Sequence, residues 1–326
     1  MMRGAPVVYC DFVDYDEIAH HAGPTRPESL ASLEGIDRVL GTLEAVAAAS
    51  PRPYRFVVLS DHGQSQGATF RQRYGMGLED LVLDLMTVDG GPATAEGREE
   101  HEDEQWGRVG TFLTELGDES RMAERLGRRV RRDRRESARA VSPGVEPDLG
   151  ERPELLVLAS GNLGMVYFPR HLARLTVEEI EALYPRLLTG LARHPGIAFA
   201  MAMSQAGSPV VLGGDGRLHL GDGRVEGRDP LVGFGPYAAS DLRRHSGLAN
   251  VGDIVLGSRL DEGTEEVAAF EELVGCHGGL GGWQTEAVLI HPADWPVQGE
   301  LDGADEVHHQ LARWLEKAGL RLPAPT

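Results

Sequence analysis

Three short stretches of this chain gather the residue types that hold metal ions. The first, DYDEIAHHAGP, sets Asp16 four residues before His20. On a helix such positions share one face, so a carboxylate oxygen and an imidazole nitrogen can reach a single divalent ion. His21 competes with His20 for that role. The second stretch, VVLSDHGQSQG, ends an apolar run in Asp61, His62 and Gly63. Adjacent Asp and His face opposite sides of a regular strand, but a turn at Gly63 lets both converge, and open α/β sheets hold ligands at the carboxyl ends of their strands. The third, GCHGGLGG, sets His277 among glycines, whose backbone can approach closely or take positive φ and so aim the ring into a cavity. Each stretch alone has a plain alternative: an exposed helix pair, a polar turn capped by Asp61, a solvent-facing loop histidine.

Placing these residues requires a scaffold. Val7 to Phe12 and Phe56 to Leu59 are short apolar runs that read as buried strands. Between them, Ser29 to Ala49 carries Leu30, Leu33, Ile36, Val39, Leu40, Leu43 and Val46 at helical spacing. The order strand, helix, strand predicts a parallel sheet in a doubly wound α/β fold. Leu78 to Met86 reads as an amphipathic helix. Residues 98–150 read as a charged helical insertion, first acidic (Glu99, Glu100, Glu102, Asp103, Glu104) and then basic (Arg128, Arg129, Arg131, Arg132, Arg134, Arg135), with Asp133 and Glu136 interspersed as expected of a solvated helix. Leu155 to Ser160 and Met165 to Phe168, joined by GNLG, predict a hairpin. Val177 to Ala192 is helical with a break at Pro185, and Ile197 to Met203 is a strand. Pro209 to Val225 is a small glycine-rich β meander whose GGDG and GDG turns lack the strand-to-helix setting of a nucleotide loop. Glu306 to Leu320 closes the chain as an amphipathic helix.

Composition narrows the function classes. With 326 residues, 41% of them hydrophobic, the chain can bury a large core. A formal charge of -19 argues against nucleic-acid binding, because an acidic surface repels phosphate backbones, and an anionic substrate needs a local positive centre. Cys10 and Cys276 stand in no CxxC spacing and read as free, buried thiols. There is no apolar stretch of about 18 residues and no signal-peptide run, so a cytoplasmic protein is expected.

Taken together and in order, D-x-x-x-H-x-x-G-P, S-D-H-G and G-x-H-G-G resemble the alkaline phosphatase superfamily, in its type I phosphodiesterase/nucleotide pyrophosphatase branch. The resemblance spans the chain apart from the charged insertion. It implies a single domain over residues 1–326, a three-layer α/β/α sandwich with a mainly parallel sheet, and hydrolysis of small-molecule phosphate esters. It also implies two divalent ions, zinc in both positions with manganese as the alternative. By the same resemblance Asp16, His20 and His277 hold one ion and Asp61 and His62 the other. His20 is preferred to His21 because it stands three residues before Gly23 of the Gly23-Pro24 pair. Two ions roughly 4 Å apart clamp the attacking and departing oxygens of a phosphoryl displacement, and they supply the positive centre that an acidic protein lacks.

The family also carries, upstream of these ligands, a strand ending in a metal-binding Asp and then a Thr or Ser nucleophile. Only 15 residues precede Asp16. Thr25, Ser60 and Ser65 do not match the nucleophile's position, so no catalytic nucleophile is assigned. The expectation is a chain lacking that N-terminal segment, with an impaired site, unless upstream sequence or a partner chain completes it; membrane attachment would come only through such upstream sequence. A contrasting reading is a metal-binding interaction domain without catalysis. A phosphomutase related by fold has a different ligand spacing.

Overall fold

The computed structural model describes residues 1–87 and 152–320. The charged segment read as a helical insertion lies outside the described residues. The N-terminal part contributes helices α1 (Asp14–Ala22), α2 (Pro27–Ala48), α3 (Phe70–Tyr74) and α4 (Leu78–Met86), with two very short strands, β1 (Val58–Leu59) and β2 (Ser65–Gln66). The middle of the chain supplies β3 (Leu156–Ser160), β4 (Leu163–Tyr167), α5 (Val177–Leu183), α6 (Leu187–Arg193), β5 (Ile197–Met203), β6 (Pro209–Gly213), β7 (Gly216–His219), β8 (Val225–Gly227), α7 (Ala238–Ser246) and β9 (Ile254–Ser258). After these come β10 (Gly275–Cys276), β11 (Leu289–Ile290) and α8 (Gly303–Lys317).

The main sheet has seven strands in the order β3-β4-β9-β5-β6-β7-β8, and every adjacent pair is antiparallel. The fold is mixed α/β, and the expected mainly parallel sheet is corrected. Tight connections are the physical reason. A two-residue turn at Gly161-Asn162 joins β3 to β4, and another at Gly214-Asp215 joins β6 to β7. Links this short cannot return a strand in the same direction, which takes a crossover of a dozen or more residues. The expected strand-helix-strand unit also fails to form. Val7 to Phe12 contains no strand, and Tyr9 there is 83% exposed. Val58–Leu59 pairs antiparallel with Leu289–Ile290 instead. A strand needs a neighbour to satisfy its backbone, and none of the described residues pairs with 7–12.

Side chains on the main sheet alternate between two apolar layers. Ala200, Ala202, Val210, Leu212, Ile254 and Leu256 face α3, α4, α5 and α6, packing with Phe70, Leu81, Val82, Ile180, Leu187 and Leu191. Met201, Val211, Leu218 and Val255 face the other way, with Ala238 and Leu242 of α7. A register shift between Ile197 and Phe199 sends those two residues to opposite layers, although a regular strand would put them on one face. Helices therefore cover both faces of an antiparallel sheet.

Several local expectations hold. Helix α4 and strand β5 have the bounds read from sequence, α2 covers nearly all of its predicted span, and Pro185 falls between α5 and α6. The β3–β4 hairpin and the β6–β8 meander form as expected. Cys10 corrects another expectation, because its thiol is exposed and only Cys276 is buried.

Candidate metal centre

Helix α1 creates the first half of the site. Asp14, Asp16 and Glu17 lie in its first turn and His20 and His21 in its last, an arrangement that suits the helix dipole at both ends. The helix stops at Gly23, whose φ of 101° is open to glycine and whose N–H donates to the Ala19 carbonyl. Ser29 then donates to the Gly23 carbonyl at 2.7 Å, and Tyr15 to that of Pro24 at 2.9 Å, fixing the turn into α2.

Strand β10 brings the third histidine from the far end of the chain. It pairs antiparallel with β2, matching Gly275 with Gln66 and Cys276 with Ser65. Gly275 lies so close to α1 that a Cβ there would overlap the Ala19 carbonyl oxygen. That approach lets Val274 N–H donate to the His20 carbonyl at 3.0 Å and sets the Gly275 carbonyl 2.8 Å from His20 Nδ1. Because a carbonyl can only accept, Nδ1 carries the proton and Nε2 is left with its lone pair whenever the ring is neutral.

The result is a compact donor set. Asp16 Oδ1 lies 3.5 Å from His20 Nε2 and 3.6 Å from His277 Nε2. All three ligand atoms lie within 4.8 Å of one another. Donors bonded to one tetrahedral zinc at its usual bond lengths stand about 3.3 Å apart, so the carboxylate-to-imidazole spacings fit such an ion. His21 is exposed and lies 3.9 Å from Glu17, while His20 faces Asp16 and His277.

The second expected pair is brought in unequally. The ring of His62 stacks on that of His277, with centroids 3.6 Å apart and planes 18° from parallel. Its Nδ1 lies 2.9 Å from the Gly63 carbonyl, which again leaves Nε2 as the acceptor. Asp61 sits at the rim, its side chain 88% exposed, with Oδ1 3.5 Å from His62 Nε2 and accepting the His62 N–H at 3.1 Å. Histidines that bind metals usually donate their other ring N–H to a carbonyl or carboxylate, and both His20 and His62 do so.

The charges in this cluster act on one another. Burial raises the Asp16 carboxyl, but the His20 contact and the His20, His277 and His62 imidazoles outweigh it, so its pKa lies below the usual carboxylate value. Burial lowers His20, yet Asp16 and the Gly275 carbonyl more than offset this and hold it above the ordinary imidazole value. His277 is pushed down to about 4, first by burial and then by the neighbouring His62. A neutral His277 is the form that ligates a metal.

Sequence reading missed the frame that aims His277. Gln284, almost fully buried, accepts from Gly279 N–H at 3.0 Å and donates to Asn162 Oδ1 at 3.0 Å and to the Gly281 carbonyl at 2.7 Å. Asn162 donates to the Leu280 carbonyl, and Ser65 links the Gly281 carbonyl to Gln284 N–H. These contacts tie the glycine loop to the β3–β4 turn, where Gly161, at φ 57°, lies against the His277 carbonyl. The signal that was available is a pair of amides, Asn162 and Gln284, each beside a glycine-rich turn. Ser60 and Ser65 serve the backbone, Ser60 accepting from Val288 N–H at 2.9 Å, while Thr25 donates to Gln66 at 3.5 Å. Next to the site, burial and then Glu271 push the Cys276 thiol up to about 12, which makes it a poor nucleophile.

A family model described as Type I phosphodiesterase / nucleotide pyrophosphatase matches residues 5–143, a span that holds Asp16, His20, Asp61 and His62 but not His277. No curated protein and no solved structure matches the chain.

Proposed function

Starting from the type I phosphodiesterase/nucleotide pyrophosphatase domain in residues 5–143, a family of metal-dependent phosphate-ester hydrolases, we propose that this chain binds a divalent ion through Asp16, His20 and His277. The observation that carries the reading is the convergence of three ligand-capable atoms from two distant segments, with Asp16 Oδ1 at 3.5 and 3.6 Å from the two imidazole nitrogens. Two nitrogens and one carboxylate oxygen favour zinc over magnesium, and manganese is the alternative. Asp61 and His62 contribute to a second, weaker position, since two ligands under-coordinate an ion. When bound, the metal supplies a Lewis acid that stabilises negative charge on the phosphoryl group being transferred.

The protein's own residues have narrower tasks. Asp16 offers negative charge at neutral pH, His20 is held with its proton on Nδ1, and His277 stays neutral. Among the described residues no side-chain nucleophile is assigned: Ser65 is buried and donates to the Gly281 carbonyl, Ser60 accepts from Val288 N–H, and Thr25 lies 3.5 Å from Gln66 Oε1. Turnover by this chain is therefore expected to be slow. A second reading, a metal-binding interaction domain without catalysis, is favoured by the exposed apolar residues Val7, Val8, Tyr9, Phe12 and Val13.

The test measures bound zinc and the turnover of bis-p-nitrophenyl phosphate for the native sequence, Asp16→Asn and His277→Ala. Zinc bound by the native chain, lost in both variants and accompanied by slow zinc-dependent turnover supports the hydrolase. Zinc binding with no turnover moves the assignment to the interaction domain. Equal zinc content in all three proteins overturns the site.

A further inference from the structure

We propose that Gln64 is a positioning residue that fixes which lone pair of Asp16 faces the metal, an inference that rests on the metal reading above and deepens it. Gln64 Nε2 donates to Asp16 Oδ1 at 3.2 Å, across 48 residues of chain. The same oxygen faces both imidazoles, at 3.5 and 3.6 Å. A carboxylate oxygen has two lone pairs. With one held by the Gln64 amide, the other is directed at the ion, and Asp16 becomes a single-oxygen ligand through Oδ1.

The other end of the amide gives independent support. Gln64 Oε1 is buried and has no hydrogen-bond partner among the described residues. An unpaired buried carbonyl disfavours folding, so this side chain is not kept there for its own hydrogen bonding. Turning the amide over would set Oε1 against Asp16 Oδ1, two acceptors facing one another. The carboxylate therefore fixes the amide, and the amide fixes the carboxylate. The position is also tethered on both sides: Gly63 N–H donates to the Gln284 carbonyl at 3.0 Å, and Ser65 begins the strand that pairs with β10. The backbone carrying Gln64 thus belongs to the frame that carries His277.

A positioning role and a structural role differ in what Gln64→Leu should do. Leucine removes the donor and also removes the unpaired carbonyl, and it brings no sulfur or charge that could enter the site. The two changes act in opposite directions on the metal-free fold, so its melting temperature should stay near that of the native chain. Loss of a group that orients a ligand should weaken zinc binding by about 10–100-fold.

The experiment measures Zn2+ affinity by chelator competition, the visible absorption of the Co2+-substituted protein, and the metal-free melting temperature. The full-length native chain, Gln64→Leu, Gln64→Asn and His277→Ala are compared. The expected result is weaker Zn2+ binding and an altered Co2+ spectrum in both Gln64 variants, since asparagine keeps the amide but not its reach, with metal-free melting unchanged. Zn2+ affinity in Gln64→Leu equal to the native chain overturns the inference, as does a loss that merely follows a lower melting temperature. If the native chain and His277→Ala bind Zn2+ equally, the metal site itself is wrong and the inference falls with it.

Discussion

The main sheet and the metal centre are built by different means. In the sheet, Ile254, Val255 and Leu256 of β9 are fully buried between helices on both faces, and each strand is held by a ladder to its neighbour. Around the centre, β1, β2, β10 and β11 are two residues long, and Leu59, Val288 and Ile290 nearby are exposed. Ladders and apolar burial order the sheet. In the centre, order comes from backbone close approach at Gly275 and from side-chain amides at Asn162, Gln284 and Gln64. Segments with few buried apolar contacts open at lower free energy than the core, so the centre should loosen before the sheet does.

The sharpest way to break this contrast is Ile254→Ala. Removing a fully buried side chain from this interior strand should cost about 2–5 kcal/mol of global stability, read from urea unfolding. Zinc affinity measured where the protein remains folded should be unchanged. If affinity falls as far as stability does, the two regions form one cooperative unit and the contrast fails.

Gln284→Leu should act in the reverse sense. It leaves Asn162 Oδ1 and the Gly279 N–H without the partners they have now, a loss of about 1–3 kcal/mol. Hydrogen exchange should localise that loss to residues 275–285, with the protection of β5 and β9 intact. Uniform loss of protection across the sheet would show that the amide frame supports the whole fold.

The last test of the contrast is the pH dependence of stability, in which two histidines of the centre act with opposite signs. His277 has a folded-state pKa near 4, below its unfolded value, so the unfolded chain binds more protons in between and stability falls as pH drops through that window. His20 has a raised folded-state pKa, so its contribution is present at low pH and is lost as pH rises through that value. The two windows lie on either side of the ordinary imidazole value, so together they predict a stability maximum near that value, and imidazole NMR of metal-free protein should resolve the two titrations far apart. Coincident titrations near the ordinary imidazole value would show that His20 and His277 are not held as described.

Local elements were legible where the pattern was long or punctuated. Helix α4 shows its helical period, β5 is a seven-residue apolar run, and Pro185 marks a helix break. Strand β9 offered only the short run Ile254-Val255-Leu256 before Gly257, too brief to announce an interior strand of the main sheet. Gly257 makes sense only in the fold, where an added Cβ would overlap the Phe199 ring. The run Val7 to Phe12 misled in the opposite direction, because apolar β-branched residues favour a strand only when a neighbour is there to pair with it.

The sequence by itself determined the chemistry on offer: an Asp and a His one helical turn apart, an Asp-His pair closing an apolar run, and a histidine among glycines. It also determined the hairpin and meander turns, because glycine-containing two-residue links leave the backbone few other routes. Only the tertiary structure decided that His20 rather than His21 turns inward, that Gly275 meets His20 across 255 residues of chain and so brings His277 alongside, and that Asp61 stays at the rim. The reason is that helical and strand periodicities are local, whereas a metal site is closed by long-range contacts. Here the close approach of Gly275 to α1 sets which atoms face one another.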